Sequence, residues 1–265
     1  NGNGDGDTAR VPTVLGAGFA DGYSSTIPAL VAGIPQRAPF VAMTDIREVV
    51  RDEAPASIDV EVRHGGSTVV AMTVERHGDG IPTPYYPVVF TPPEPGEYEV
   101  HASFAKQPTP FRVAARDELD LVQVGDPLRP VDTPTIADPR GVTPVCTRVD
   151  PCPFHEITLR DALAGATPVV LIISTPGFCQ TAICGPVLDL LIDAAPQRPD
   201  LTIVHAEVYV APDEGDMTTT EVISTYGLNY EPSLYVADAT GTVTARLDFS
   251  WDRRELTAAL GTVSA

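Results

Sequence analysis

Basic residues and long apolar runs are scarce in this sequence of 265 residues. Lys106 is its single lysine, and 17 Lys and Arg residues stand against 36 Asp and Glu residues, which gives a formal net charge of −19. A surface this acidic repels nucleic acid and the anionic face of a membrane, so both classes of binding protein are excluded. No stretch of about 18 apolar residues occurs, and the sequence therefore predicts no membrane-spanning helix.

The chain begins with Asn1 rather than Met, and no secretory h-region lies near this end. Residues 1–10 are rich in Gly, Asp and Asn, and we expect a flexible tether there. These features favour an exported, extracytoplasmic protein that is either secreted or anchored to a membrane upstream of Asn1. Four cysteines in two local pairs fit an oxidising compartment, although a redox or metal site would use such pairs as well.

Proline and glycine are abundant, with 27 and 21 residues respectively. Both interrupt regular structure, so the composition favours many short strands and ordered loops over long helices. Hydrophobic residues make up 43% of the chain, which is enough for real cores and excludes wholesale disorder. The length predicts about two domains.

Residues 11–120 carry the alternating pattern of β-strands. Alternation over 57–63 is followed by a glycine turn and a second run over 67–74, which is typical of a hairpin. Further alternating strands are predicted over 97–104 and 111–115. Short strands at this spacing favour a β-sandwich, and the Pro-Gly-Glu-Tyr-Glu-Val pattern resembles bacterial exported Ig-like domains. We expect an N-terminal all-β Ig-like sandwich that binds a partner or holds the next domain away from a membrane.

Residues 121–154 are predicted to form a proline-rich connector. Seven prolines lie over 126–153, which favours an extended, semi-rigid chain. The connector carries Cys146 and Cys152, and we expect a structural disulfide that closes a tight loop between them. In the alternative, one of these thiols exchanges with the second cysteine pair, but nothing nearby in sequence would activate it.

Residues 155–265 have a different hydrophobic pattern, in which segments typical of strands alternate with segments typical of helices. A continuous apolar run is typical of a strand that is buried on both faces, and the first element has this character. The predicted order is β-α-β-α-β-β-α, over 168–174, 187–195, 201–210, 218–226, 233–237, 242–249 and 251–260.

That order resembles the thioredoxin fold. The residues after the first strand and before the fifth predicted element also resemble the segments that form that family's active site. The first buried strand runs into STPGFCQTAICGPV at 174–187, and Tyr-Glu-Pro-Ser at 230–233 is similar to the family's X-Pro-[Ser/Thr] step. The resemblance covers 155–265 and implies a C-terminal α/β thioredoxin-like domain. It also implies an exported thiol–disulfide oxidoreductase that exchanges disulfides with a protein partner and needs no organic cofactor.

The resemblance implies that Cys179 and Cys184 carry the chemistry. Cys179 lies between strand and helix, where helix N–H groups stabilise a thiolate, so we prefer it as the nucleophile with Cys184 as the resolving thiol. On a second alignment, the segment Cys-Gly-Pro-Val at 184–187 corresponds to the family's Cys-Gly-Pro-Cys with the second cysteine replaced. Cys184 would then attack, and both assignments stay open.

The spacing departs from the family, which has Cys-x-x-Cys where this chain has Cys-x4-Cys. Five residues of straight helix rise about 7.5 Å, and a disulfide usually needs Cα atoms less than about 7 Å apart. Gly185 and Pro186 suit the first turn of a helix. We therefore expect 179–184 to form an irregular or 3₁₀ turn that can close. Reversible unwinding of the helix is the alternative.

Pro176, Phe178, Glu231 and Pro232 are predicted to contact the substrate. The resemblance implies that the Glu231–Pro232 peptide, which could be cis, faces the two thiols. A carboxylate there would raise a neighbouring thiol's pKa and could relay a proton. The alternative is that Glu231 is an exposed loop acid.

Three other functions stay open. Some peroxiredoxins have a similar Thr-Pro-Gly-Cys-x4-Cys, but the peroxidase pattern Pro-x-x-x-Thr-x-x-Cys is broken here by Ile172 and Pro176. Sco-type copper chaperones are also similar, and two thiolates suit Cu(I). No His follows position 205, however, and we expect His155 and His205 to be surface or core residues rather than metal ligands. The third function is a non-enzymatic exported binding protein with two structural disulfides.

Overall fold

A computed structural model describes residues 11–19, 29–179 and 181–263. The tether predicted over 1–10 lies outside the described residues. The described part is mostly β-structure in several sheets, with a smaller share of short helices. Within it, no helix has the length and apolar character needed to cross a membrane.

The first part of the chain forms strands that belong to two sheets. The strands are β1 (Val14–Ala17), β2 (Leu30–Val31), β3 (Gln36–Met43), β4 (Ser57–His64), β5 (Ser67–Glu75), β6 (Tyr86–Phe90), β7 (Gly96–Ala102) and β8 (Thr109–Ala114). One sheet has the order β1-β3-β6 and the other the order β2-β8-β7-β4-β5. Neighbours are antiparallel except for β2 and β8, which are parallel.

The two sheets share one hydrophobic core. Ile58, Val60 and Val62 are buried on β4, and the polar residues between them point away from that core. Phe111 on β8 meets Phe40 on β3 edge to face, with ring centroids 5.9 Å apart. The alternating patterns correctly predicted β4, β5, β7 and β8. They missed β3, which has little alternation and contains a proline.

The second part of the chain mixes helices and strands. These are α1 (Leu159–Ala164), β9 (Val169–Ile173), α2 (Cys184–Ala194), β10 (Thr202–Ala206), β11 (Tyr209–Ala211), β12 (Asp216–Thr219), α3 (Glu221–Tyr226), β13 (Ser233–Ala237), β14 (Val243–Asp248) and α4 (Arg253–Leu260). Four of the strands form one sheet in the order β10-β9-β13-β14. β9 and β10 are parallel, and β13 is antiparallel to both β9 and β14.

The strand predicted over 201–210 and the helix predicted over 218–226 are both shorter in the structure. A 3₁₀ turn at Pro212–Glu214 and a left-handed Gly215, with φ 82°, reverse the chain between them. β11 then pairs with β12 as a separate hairpin. α3 starts only at Glu221, because the residues before it are occupied in this pairing.

Hydrophobic side chains cover both faces of the four-stranded sheet. Val170 and Ile172 on β9 face a cluster that includes Trp251 and residues of α2 and α4. Leu171 and Ile173 face a second cluster formed with α1 and α3. The continuous apolar run of β9 follows from this burial on both sides.

The proline-rich segment over 115–158 contains no regular helix or strand, as its composition favours. It nevertheless lies against the four-stranded sheet. Leu121, Val122 and Leu128 are buried in the cluster with α1 and α3. The N–H of Leu128 donates to the Gly241 carbonyl at 2.8 Å, which fixes the segment beside β14.

Polar side chains tie the first part of the chain to α4. The Arg37 guanidinium on β3 donates two hydrogen bonds to the Glu255 carboxylate, at 2.6 and 2.5 Å. The Tyr85 hydroxyl donates to the same carboxylate. Nδ1 of His77 lies 3.1 Å from Oδ1 of Asp252, the residue that caps α4.

Candidate thiol site and adjoining cysteine–histidine cluster

The strand register brings distant parts of the chain together where β9 ends. Ile173 is the last residue of β9, and it pairs with Ala206, the last residue of β10, and with Ser233, the first residue of β13. Because parallel strands end at the same sheet edge, the loops after β9 and β10 meet there. The segment that enters β13 reaches the same edge, because β13 runs the other way.

Cys179 and Cys184 form a disulfide in the loop that leaves β9, with their Cα atoms 5.9 Å apart. α2 begins at Cys184, and Ala182 takes a left-handed conformation with φ 54° just before it. Residues 179–183 thus precede the helix. The prediction of an irregular turn that can close is confirmed, although the helix starts two residues before Pro186.

The two bonded sulfurs differ in accessibility. Cys184 is fully buried, and Cys179 is partly exposed. The backbone N–H of Cys184 donates to Sγ of Cys179 at 3.4 Å, and Oγ1 of Thr181 lies 3.5 Å from the same sulfur. A group at the helix N-terminus therefore reaches Cys179, and the exposed position of this sulfur favours it as the one that a partner meets.

Glu231 faces the cysteine pair, so the alternative of an exposed loop acid is wrong. Its Oε2 lies 3.4 Å from Sγ of Cys184 and accepts a hydrogen bond from the N–H of Thr175 at 2.5 Å. Burial raises the pKa of Glu231 to about 7, the charge of Glu207 adds to the effect, and the Thr175 hydrogen bond opposes it. The Glu231–Pro232 peptide is cis, and Pro232 is buried.

The remaining predicted contact residues, Pro176 and Phe178, are partly exposed in the loop that carries Cys179. The N–H of Phe178 donates to the carbonyl of Thr175 at 3.2 Å, which gives the loop a tight turn. Both side chains thus lie next to the disulfide along the chain.

Cys146 and Cys152 are unbonded in the structure, so the structural disulfide predicted between them is wrong. Both thiols are buried, and the N–H of Cys152 donates to Sγ of Cys146 at 3.4 Å. The predicted disulfide was inferred only from the short loop between the two cysteines. In the folded chain the sulfurs face two histidines, His155 and His205, that compete for contact with them.

His155 and His205 are buried in the core beside these thiols, with exposed fractions of 2% and 0%. Nδ1 of His205 lies 3.0 Å from Nε2 of His155 and 3.3 Å from Sγ of Cys152. Sγ of Cys146 lies 3.9 Å from the same nitrogen. The four donor atoms are all within 4.8 Å of one another, a grouping that sequence spacing did not reveal. We call these four residues the Cys/His cluster.

The pKa values of the two thiols of the Cys/His cluster are shifted in opposite directions. The hydrogen bond from Cys152, followed by those of His155 and His205, lowers the pKa of Cys146. The pKa of Cys152 is raised by the hydrogen bond between Cys152 and Cys146 and by burial. Burial lowers the pKa of His155, which keeps this imidazole neutral near pH 7.

Thr147 and Glu207 connect the Cys/His cluster to the thiol site. The backbone N–H of Thr147 donates to Glu207 at 2.6 Å, and its hydroxyl oxygen accepts from the N–H of Gly177 at 3.0 Å. Burial raises the pKa of Glu207 to about 7. Glu207 was not among the predicted site residues, although its place directly after a strand that runs parallel to β9 was a usable signal.

Neither a protein-family model nor a curated protein matches this sequence. Functional inference for this chain therefore depends on the chemistry of its own residues.

Proposed function

We propose that this protein is an extracytoplasmic thiol–disulfide oxidoreductase with a thioredoxin-like domain behind an Ig-like sandwich. The proposal rests mainly on one observation. The Cys179–Cys184 disulfide lies at the end of a central strand with one sulfur partly exposed, and a carboxylate lies 3.4 Å from the other. A nucleophile, a resolving thiol and a proton acceptor are the groups that disulfide exchange requires.

The element order supports the thioredoxin-like part of the proposal. From β9 to α4 the chain follows β-α-β-α-β-β-α, apart from the hairpin of β11 and β12 inserted after β10. The cysteine pair stands between β9 and α2, and Pro232 directly precedes β13. These are the positions that the family resemblance implies for both features.

The two sheets that enclose one core support the Ig-like part. We assign this part to partner binding or to positioning of the redox site. A disulfide in the resting protein fits an oxidising, extracytoplasmic compartment.

In the reductive direction, the Cys179 thiolate attacks one sulfur of a partner disulfide. A bond forms between the sulfur of Cys179 and that partner sulfur, the partner's S–S bond breaks, and the other partner sulfur leaves as a thiolate. The N–H of Cys184 points at Sγ of Cys179 and favours negative charge there before the attack.

The second step regenerates the disulfide found in the structure. Cys184 gives its thiol proton to the carboxylate of Glu231 and attacks Sγ of Cys179. The mixed disulfide breaks, and the partner leaves with both sulfurs reduced. The partner gains the two electrons that the cysteine pair loses, and the reverse sequence oxidises a dithiol partner.

Single cysteine variants test this order, with insulin as the disulfide probe. We expect reduced Cys184→Ser to hold a lasting mixed disulfide with insulin, because the resolving thiol is missing. Cys179→Ser keeps Cys146 and Cys152 and is the matched control, and it should form no such adduct. Non-reducing electrophoresis and mass spectrometry measure both.

Two results would count against the assignment. The reverse pattern of adducts would make Cys184 the attacking thiol. A Cys179/Cys184 reduction potential well below about −300 mV would mark a structural bond and favour a non-enzymatic binding protein instead.

A further inference from the structure

The Cys/His cluster has the closed form of a metal site. Two sulfurs and two imidazole nitrogens converge in the core, with none of the four residues more than 7% exposed. Three of the ligand residues come from one short segment, 146–155, and the fourth, His205, comes from β10. The cluster thus joins a segment without regular structure to the central sheet.

The spacing of the donor atoms fits tetrahedral coordination. With Zn–S near 2.3 Å and Zn–N near 2.0 Å, the donors of a tetrahedral site lie roughly 3.3–3.8 Å apart. In the Cys/His cluster the other three donor atoms lie 3.0, 3.3 and 3.9 Å from Nδ1 of His205. Small shifts of side chains would therefore place a metal ion within bonding distance of all four donor atoms.

The tautomer of His205 is set for metal binding. Its Nε2 lies 2.9 Å from the carbonyl oxygen of Ser174, and because a carbonyl only accepts hydrogen bonds, Nε2 carries the ring proton. When the ring is neutral, Nδ1 is the unprotonated nitrogen, and it lies 3.3 Å from Sγ of Cys152 and 3.9 Å from Sγ of Cys146. A backbone carbonyl on the remote nitrogen is a common partner of metal-bound histidine.

We propose that Cys146, Cys152, His155 and His205 bind one Zn²⁺ ion in a closed structural site. Binding releases the two thiol protons to solvent and leaves two thiolates with two neutral imidazoles. Their charges then cancel that of a divalent ion. A monovalent ion such as Cu(I) would leave one net negative charge in the core beside the buried Glu207, which is unfavourable.

The ion would hold the wall of the neighbouring thiol site in place. Thr147 follows the first ligand and accepts from the N–H of Gly177, two residues before Cys179. Ser174, which binds the ring of His205, starts the loop that carries the same cysteine. The zinc proposal does not depend on disulfide exchange, since its ligands are separate from the Cys179–Cys184 pair.

Metal content of the full chain tests the proposal. The protein is reduced, stripped with a chelator and reconstituted with Zn²⁺ or with Co²⁺ as a spectroscopic probe. We expect one ion per chain, with thiolate-to-cobalt charge-transfer bands and the strong d–d bands of a tetrahedral centre. The matched control Cys179→Ser/Cys184→Ser should keep both, and Cys146→Ser/Cys152→Ser should lose both.

A conservative variant distinguishes the loss of a metal ligand from misfolding of the chain. His155→Gln removes one nitrogen ligand and leaves both thiolates, so we expect it to keep the thiolate-to-cobalt charge-transfer bands while binding the ion less tightly. In the wild type, bound Zn²⁺ should protect Cys146 and Cys152 from alkylation, and chelation should expose them. Absence of stoichiometric metal in the wild type would overturn the site. A Cys146–Cys152 disulfide in the protein as isolated would do the same.

Discussion

Two acidic side chains beside the thiol site, Glu231 and Glu207, carry pKa values near neutrality. Burial raises each to about 7, so either group changes charge over the pH range in which thiols begin to ionise. Only Glu231 contacts a sulfur of the Cys179–Cys184 pair. It is therefore the residue whose protonation state should govern the second step of the proposed exchange.

Replacement of Glu231 by Gln should change the pH dependence of that step. Because only the carboxylate accepts the proton of Cys184, the wild-type rate should rise as pH increases through about 7. In Glu231→Gln we expect a rate about 10²-fold lower above that pH, without this rise. Reduced protein mixed with a chromogenic aromatic disulfide reports the step as a second release of thiol whose rate is independent of reagent concentration.

The exposed residue Glu214 provides the matched control for this experiment. Glu214→Gln makes the same chemical change away from the sulfurs and should leave the profile as it is in the wild type. An unchanged pH profile in Glu231→Gln would show that another group accepts the proton.

At the scale of elements, α3 depends on a glycine for its end. Gly227 takes a left-handed conformation, with φ 64°, and its N–H donates back to the last turn of the helix. A Cβ atom at this glycine would overlap the carbonyl oxygen of Asp120, in the proline-rich segment. The position therefore requires glycine both for its backbone angle and for the close approach of a second segment.

Gly227→Ala should lower the free energy of unfolding more than Gly215→Ala. Gly215 has a similar φ of 82° with open space around its Cα, so its replacement costs only the left-handed penalty of about 1–2 kcal/mol. At Gly227 the overlap adds roughly 1–3 kcal/mol. Urea unfolding measures both, and equal losses would mean that the proline-rich segment moves aside freely.

Element boundaries were predictable where the cause is local. Gly185 and Pro186 marked the start of α2 to within two residues, and Gly227 marked the end of α3. The hairpin of β11 and β12 was not predicted, because 201–210 reads as one apolar run and the reversal depends on a short turn beyond it.

For the whole molecule, a buried ion pair connects the sheet that contains β3 to the C-terminal helix α4. The side chains of Arg37 and Glu255 are only 11% and 14% exposed, and they are joined by two hydrogen bonds. Loss of one partner leaves the other charge buried and unpaired, which typically costs about 3–5 kcal/mol. The contact between the two parts of the chain thus depends on both residues together.

Arg37→Met should therefore destabilise the protein by about 3–5 kcal/mol, and Arg37→Met/Glu255→Met should recover most of the loss. The surface pair Arg112 and Glu118, with each side chain 50% exposed, provides the control, and Arg112→Met should cost less than about 1 kcal/mol. Denaturant unfolding measures all three. A loss in Arg37→Met no greater than in the control would show that the pair does not hold the two parts together.

The sequence by itself determined the features that depend on neighbours along the chain. Alternation placed β4, β5, β7 and β8, and the apolar run placed β9, because the period of side chains in a strand is a local property. The glycine and proline after Cys184 indicated that a Cys-x4-Cys turn could close, since they decide where a helix begins.

Only the tertiary structure decided which residues share a site. His205 and His155 are fifty residues apart, and the N–H of His205 donates to the carbonyl of Phe154 at 2.9 Å, which holds both rings beside the same pair of sulfurs. Glu231 and Glu207 acquire their raised pKa values from burial at that sheet edge. Burial and long-range contact depend on how strands pair, and strand pairing leaves no mark in the residues next to each ligand.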